Sequence, residues 1–378
     1  MHANMKSNHH RSRRDFLHTA ALASGAAAIG VTSRAGAQNK ARPPKLDRKM
    51  GIALVGLGYY STDLLAPALQ ETENAYLAGI VTGTPAKAEA WMAQYDIPPE
   101  NVYDYETFDA LASNEAIDIV YVVLPNSMHA EYSIRASRAG KHVICEKPMA
   151  MNAAECEAMI AAAEEAGRKL SIGYRMQFEP TTQEIIRLGQ ERALGPIAMI
   201  TAGAGYRERR ADHWKLSRAM GGGAMMDMGV YSLQAARYVT GEEPVSVSAQ
   251  TFVSRPELFT EVEETATFQL RFPSGAVANL HTSFGVGMNY LNVNALDGWI
   301  KVDPFSAYRG IRAMTSQGEL SFPVINQQAA QMDEDAYRMA TGEDVRVPGE
   351  EGLRDMRVVD AIYASARDGG RTIRLTES

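Results

Sequence analysis

From residue 50 the chain alternates short, wholly apolar runs with longer stretches of helical spacing. "MGIALVG" is an apolar run that ends in glycine, and "YYSTDLLAPALQ" after it has helical spacing. "AYLAGIVTG" reads as a second strand and "AKAEAWMAQY" as an amphipathic helix. "DIVYVVLP" is a strand, and "SMHAEYSIRASRAG" is a helix stopped by Gly140. "KHVICEKP", "NAAECEAMIAAAEEAG" (stopped by Gly167) and "KLSIGYR" continue as strand, helix, strand. Strands apolar at every position, each followed by a helix, predict a parallel sheet covered on both faces. That is the doubly wound α/β arrangement that binds dinucleotides at its strand ends.

The pattern before residue 50 is different. Arg13 and Arg14 are followed by Phe16-Leu17, an alanine-rich apolar run and Ala35-Gly36-Ala37. Charged head, apolar middle and small-x-small end describe an export signal, and the twin arginine marks the route for proteins already folded. The apolar run is short of the roughly 20 residues a spanning helix needs. Residues 1–37 are therefore expected to be cleaved and the mature protein to be periplasmic, with a retained anchor as the alternative. Residues 38–49, with Pro43-Pro44, form an arm expected either to cover a bound cofactor or to be a plain leader.

The chain has 378 residues and a net charge of −7. Removing residues 1–37 takes five basic residues (Lys6, Arg11, Arg13, Arg14, Arg34) and Asp15, lowering the net charge to −11. A net acidic chain argues against nucleic acid and anionic membrane as partners. About 340 remaining residues exceed one typical core and suggest two domains. The two cysteines, Cys145 and Cys156, sit in an apolar strand and an alanine-rich helix and read as buried reduced thiols. No Cys/His cluster has metal-ligand spacing, so no metal is expected.

Candidate chemistry clusters at the predicted strand ends. Gly56-Leu57-Gly58-Tyr59-Tyr60-Ser61 follows the first strand and opens a helix. Gly56 allows the tight turn, and Gly58 lets a pyrophosphate approach the backbone. Ser61 stands where the fingerprint usually has Gly or Ala. The second strand ends in Thr82-Gly83-Thr84 with Lys87 beyond, and no carboxylate. Hydroxyls and an ammonium suit a 2′-phosphate that a carboxylate would repel, so NADP(H) is expected over NAD(H). Glu146-Lys147-Pro148 and Gly173-Tyr174-Arg175 end two later strands. In "GGGAMMDMGVY", Asp227 and Tyr231 lie four apart on one helical face, beneath a glycine triplet expected to approach a ligand.

These stretches, with "LPNSMH" and the C-terminal "GLRDMRVVDAIYASARDGG", resemble the Gfo/Idh/MocA oxidoreductase family from about Met50 to Leu375, most closely its glucose–fructose and aldose–aldose sugar oxidoreductases. The resemblance implies a Rossmann domain over residues 50–171. It also implies a C-terminal α+β domain over 172–378 with a large, mostly antiparallel open sheet, into which "PVSVSAQTFV", "ATFQLRFPSGAVANLHTSF" and "YLNVNAL" fit. The sheet is expected to make a homodimer or homotetramer contact, and a helix over 351–368 to pack back on the first domain. The catalytic lysine falls on Lys147 and its acidic partner on Asp227. Tyr231 stands where many members carry histidine, as it does in the sugar oxidoreductases.

The implied reaction is oxidation of an aldose at C1 to a lactone and reduction of a second sugar to a polyol, with NADP(H) held tightly throughout. Tyr231 is the proton acceptor. A tyrosine titrates near pH 10 ordinarily, so the Lys147 ammonium is needed beside it. Leu124, Pro125, Asn126 and His129 are expected to line the nicotinamide, with His129 positioning. Glu146, Lys147 and Arg175 border it. Arg175, Trp214, Lys215 and Arg218 are expected to shape the sugar pocket. Two rival readings remain: an NAD-dependent glycoside hydrolase acting by transient C3 oxidation, which typically uses histidine at the Tyr231 position, and a non-catalytic cofactor-binding sensor.

Overall fold

Every strand of the first sheet runs in one direction because each is joined to the next by a crossover. The computed structural model describes residues 43–375. β1 (Met50–Val55) leads through a π-helical turn (Ser61–Leu65) into α1 (Ala66–Leu69). β2 (Ala75–Val81) leads into α2 (Pro85–Tyr95), then β3 (Val102–Tyr103) and β4 (Ile119–Val122). α3 (His129–Arg138), β5 (His142–Cys145), α4 (Ala153–Glu165) and β6 (Leu170–Ile172) follow. The order is β3-β2-β1-β4-β5-β6, all parallel. Helices on both faces bury β1 and β4 at every residue, the physical counterpart of their unbroken apolar runs. Cys145 and Cys156 are buried and free.

The second sheet obeys a different rule. After α5 (Pro180–Gln190) come β7 (Ile197–Gly205) and α6 (Val230–Thr240). β8 (Ser246–Phe252), β9 (Thr265–Arg271), β10 (Val277–Ser283), β11 (Met288–Ala295) and β12 (Gly298–Val302) follow, then β13 (Ala313–Thr315) and β14 (Gly318–Leu320). α7 (Gln327–Thr341), α8 (Gly349–Arg367) and β15 (Ile373–Arg374) complete the chain. The sheet order is β14-β13-β12-β11-β7-β10-β9-β8-β15, antiparallel except where β10 meets β7. α6 covers one face, over Ala202, Leu280 and Leu291. Thr201, Gln269, Asn279 and Asn292 point the other way and are half-buried or exposed. One covered face gives period two along each strand.

Several elements have no counterpart in the sequence pattern, β7 and α7 among them. Central β7 is small-residue rich: a Cβ on Gly203 would stand 2.7 Å from the Tyr290 ring, and one on Gly205 2.4 Å from Ser283 O. α7 buries Gln327, Gln328, Gln331, Asp333 and Asp335 beside Ala329, Met332, Ala336 and Met339, so its inner face is mixed.

Both last helices return to the first sheet. Asp333 Oδ1 accepts from Glu73 N and Asn74 N, each at 2.8 Å. Met332, Ala336 and Met339 join the core of Ile52, Leu54 and Ile80. α8 lies between α4 and β8, and its Asp360 caps α4 at Ala153 N (3.0 Å).

The twin-arginine stretch, the cleavage pattern and residues 38–42 lie outside the described residues. Residues 43–49 do not reach the glycine loop. Pro44 O and Leu46 N pair with Asn74, Arg48 with Asp118 and Lys49 Nζ with Thr72 O. Those partners precede β2 and β4, at the end of the sheet away from the loop, so this part of the arm covers no cofactor. Among the described residues no helix is long and apolar enough to cross a membrane, and no acidic or thiol cluster could hold a metal.

Candidate active site

The C-terminal ends of the parallel strands converge on one edge, where ligands bind in such sheets. After β1, Gly56 adopts φ +91°, and an added Cβ would stand 2.5 Å from Val123 O. A Cβ on Gly58 would have no heavy atom within 4 Å, so this backbone stands open to a ligand. Ser61 is buried and donates to Gly56 O at 2.6 Å. The residue that departs from the fingerprint thus ties the loop to its own helix. At the β2 tip, Thr82 Oγ1 accepts from Thr84 N (3.3 Å), and Gly83 lies against the Tyr105 ring. Lys87 Nζ reaches across to Leu57 O at 3.0 Å, which places an ammonium between tip and loop. Tyr59 is exposed at the loop, while Tyr60 packs 6.1 Å from the Tyr308 ring.

The β4 and β5 ends are braced against each other. His129 is buried with Nε2 2.8 Å from Leu124 O and Nδ1 2.8 Å from Pro148 O. Burial lowers its pKa against the opposing pull of the two carbonyls, and the ring braces the two loops. Pro125 starts the turn into α3, and Asn126 Nδ2 donates to Gly221 O at 2.7 Å. Glu146 is buried and accepts from Tyr121 OH (2.7 Å) and Lys147 N (3.3 Å). Burial raises its pKa against the opposing pull of Tyr121 and Lys147.

The charged centre assembles from distant segments. Lys147 Nζ donates to Asp227 O at 2.8 Å and Asp227 Oδ1 at 3.3 Å, and stands 5.0 Å from the Tyr231 ring centroid. Lys215 Nζ takes the other oxygen, Asp227 Oδ2, at 2.7 Å, and Tyr206 OH donates to it at 3.1 Å. Burial works against the Asp227 carboxylate, but the two ammonium groups outweigh it and hold the carboxyl well below its usual range. Burial likewise opposes the Lys147 charge, and Tyr231, Asp227 and Glu146 overcome it, raising its pKa. The site carries more positive than negative charge.

Arg175 is buried beneath this centre. It donates to Ser306 O (2.6 Å), Ala307 O (3.1 Å) and Gln327 Oε1, and its Nη2 lies 3.5 Å from Tyr231 OH. Its Nη donors are taken by protein, including Tyr231, while its buried Nε has no partner among the described residues. Arg218 is exposed and held by Glu261, away from the cluster, whereas Trp214 stacks on His213 beside Lys215. The glycine triplet approaches protein, not a ligand. A Cβ on Gly221 would meet Met151 Sδ at 2.5 Å, one on Gly222 Lys215 O at 2.2 Å, and one on Gly223 Glu263 Oε1 at 2.5 Å. That close packing lets the Lys215 loop and the Asp227 turn share one floor.

Sequence reasoning missed Tyr121, Tyr206, Tyr308 and Gln327. Tyr206 directly follows the unforeseen β7, and Gln327 opens the unforeseen α7. No local signal marks the other two.

The comparisons with known proteins agree with this geometry. A family model for the GFO/IDH/MocA "Oxidoreductase family, NAD-binding Rossmann fold" matches residues 50–174, and the GFO/IDH/MocA C-terminal domain matches 182–302. The crystal structure of an aldose-aldose oxidoreductase from Caulobacter crescentus complexed with glycerol is 46% identical, covers 87% of this chain and 100% of that one, and superposes with a TM-score of 0.84. D-xylose 1-dehydrogenase [NADP(+)] from Haloarcula marismortui is 29% identical, over 87% of this chain and 94% of its own. D-xylose 1-dehydrogenase (NADP(+)) 2 from Haloferax volcanii is 30% identical, over 85% and 98%.

Proposed function

We propose that this chain, which belongs to the GFO/IDH/MocA oxidoreductase family and is a sugar oxidoreductase with an NAD(P)-binding Rossmann domain, oxidises an aldose at C1 and reduces a second sugar in the same pocket without releasing NADP(H). The observation that carries the reading is the position of one ammonium. Lys147 Nζ is bonded to Asp227 and stands against the Tyr231 ring, at the strand ends beside an open glycine loop.

The residues present fit a phosphorylated dinucleotide. The backbone at Gly56, Gly58, Tyr59 and Tyr60 holds the pyrophosphate, and Thr82, Gly83, Thr84 and Lys87 hold the 2′-phosphate. Leu124, Pro125 and Asn126 border the nicotinamide. When bound, the dinucleotide would supply hydride transfer between the two sugars. Tyr231 takes the C1 hydroxyl proton of the aldose and later returns it to the carbonyl of the second sugar. Lys147 and Arg175 stand 5.0 and 5.4 Å from its ring centroid, so two cations border the ring. Asp227, with both oxygens occupied by ammonium groups, holds those cations in place and does not carry the proton. The NADP-linked xylose dehydrogenases among its relatives support the choice of cofactor.

The Arg13-Arg14 stretch supports export in the folded state to the periplasm. There, a cofactor carried out with the protein must be re-oxidised in place, which is what a two-sugar reaction achieves. The uncovered face of the nine-stranded sheet, which exposes Met199, Phe252 and Met314, is the surface through which copies associate.

The test is to purify the protein without added cofactor, denature it and identify what it releases by mass spectrometry. NADP(H) at near one equivalent is expected, reduced in a single turnover by an aldose and re-oxidised by a second sugar. Active protein that is free of cofactor and needs millimolar NADP+ (on the order of ordinary dehydrogenase KM values) overturns the reading.

A further inference from the structure

We propose that Tyr308 is the aromatic wall against which the sugar packs, and that it sets which sugars the site accepts. The inference rests on sugar oxidoreduction at this site and adds a residue to it. Tyr308 lies in the loop between β12 and β13, at residues 303–312. Loops of this kind are ordinarily the variable part of a fold, but this one is pinned on both sides. Phe305 N and Ser306 N each donate to Asn289 Oδ1 at 2.9 Å. From the other side, Arg175 donates to Ser306 O and Ala307 O at 2.6 and 3.1 Å. The backbone next to Tyr308 is thereby tied to the same guanidinium that braces Tyr231.

The ring itself is placed but not enclosed. The Arg175 guanidinium carbon lies 4.4 Å from its centroid and 5.4 Å from that of Tyr231, so the two tyrosines border one small space. The Tyr60 ring stands 6.1 Å away, on the glycine loop. Yet Tyr308 remains 37% exposed. Partial burial and Tyr231 raise the pKa of its hydroxyl while Arg175 and Lys147 oppose, so it is neutral and beside the reacting groups.

A pyranose offers both hydroxyls and patches of C–H. Lys147 and Tyr231 answer the hydroxyls. An open aromatic face answers the C–H patch, because such a ring is apolar over its area and polar only at its tip. Tyr60 rises from the nucleotide loop, whereas Tyr308 comes from the second sheet. That origin assigns Tyr308 to the sugar and not to the dinucleotide.

The experiment uses the purified protein with its bound cofactor and three variants, Tyr308→Phe, Tyr308→Leu and Tyr308→Ala. Single-turnover reduction is followed with D-glucose and D-xylose, then re-oxidation by a second sugar. Tyr308→Ala and Tyr308→Leu are expected to raise the half-saturating sugar concentration about tenfold in both directions and to alter the glucose-to-xylose preference, with saturated rates within about threefold of the parent. Tyr308→Phe keeps the flat face and stays within about twofold. Unchanged half-saturation and preference in Tyr308→Ala overturns the proposal. So does loss of bound dinucleotide by mass spectrometry in that variant, which reassigns the ring to the cofactor. A parent protein that no sugar reduces sinks sugar oxidoreduction itself, a result distinct from either.

Discussion

The two ends of the candidate site are built by opposite means. The nucleotide end is local: Gly56 to Ser61 and Thr82 to Lys87 are two short stretches that present open backbone, hydroxyls and one exposed lysine. The catalytic end draws Lys147, Arg175, Tyr206, Lys215, Asp227, Tyr231 and Tyr308 from separate segments and buries most of their charge. A phosphate can be held at the surface by dipoles and hydroxyls. A proton acceptor must instead be surrounded by fixed charges in a place with little water, where each charge acts more strongly. The difference teaches that the fold spends its stability at one end only. Substitutions at the catalytic end should therefore change rates and stability steeply, and those at the nucleotide end should shift affinity alone.

The largest effect expected is that of Tyr231→Phe. It removes one hydroxyl from a packed ring, and single-turnover rates should fall in both half-reactions by about 10²–10⁴ while bound cofactor is retained. Near-parent rates in both directions would make the tyrosine mere pocket lining.

Next is Asp335→Asn, on the buried face of α7. Asp335 accepts from Ser171 Oγ at 2.9 Å, its other oxygen is unpartnered, and burial pushes its carboxyl up to about 7. Between pH 4 and 7 the unfolded chain has lost this proton and the folded chain keeps it, so stability falls as pH rises through that window and is level above it. Asn carries no such penalty. At pH 8 the variant should be more stable than the parent by up to about 4 kcal/mol, with little gain at pH 4. Melting curves at both pH values check this, and a gain of equal size at both would refute a titrating Asp335.

Lys215→Met removes one of the two ammonium groups on Asp227. About a 10–100-fold loss in rate is expected, with the dinucleotide still bound, since one charge-assisted bond is lost and Lys147 remains. Smallest is Lys87→Ala, which should weaken retention of NADP(H) about tenfold and leave NAD(H) unchanged, as measured by titration of cofactor-stripped protein. Equal losses for both dinucleotides would show that the tip does not read the phosphate.

The same contrast explains what could be read in the sequence. β1, β4 and the glycine loop are legible because burial on both faces makes a strand apolar throughout and because a tight turn demands glycine. Lys147, Asp227 and Tyr231 are found through the motifs of the family they resemble, and the structure brings all three together. Arg218 has the right charge in the right neighbourhood, but Glu261 competes for it and holds it at the surface. β7 escapes notice because its centre is Ala and Gly, chosen for close approach to Tyr290 and Ser283 and not for strand propensity. α7 escapes because helical periodicity is sought in apolar residues, and buried Gln327, Gln331 and Asp335 interrupt the apolar Met332, Ala336 and Met339.

The return of α7 to the first sheet has a consequence for the order of synthesis. Chains leave the ribosome N-terminus first, at about 5–20 residues per second. The glycine loop therefore emerges long before Asp333 can close the Glu73–Asn74 turn, before Met332 and Met339 can seal the core behind β1, and before Gln327 can hold Arg175. The nucleotide-binding half cannot finish folding as an independent early domain. Its completion waits for the last elements of the chain, so a nascent protein cut short before α7 leaves part of one side of its first sheet uncovered.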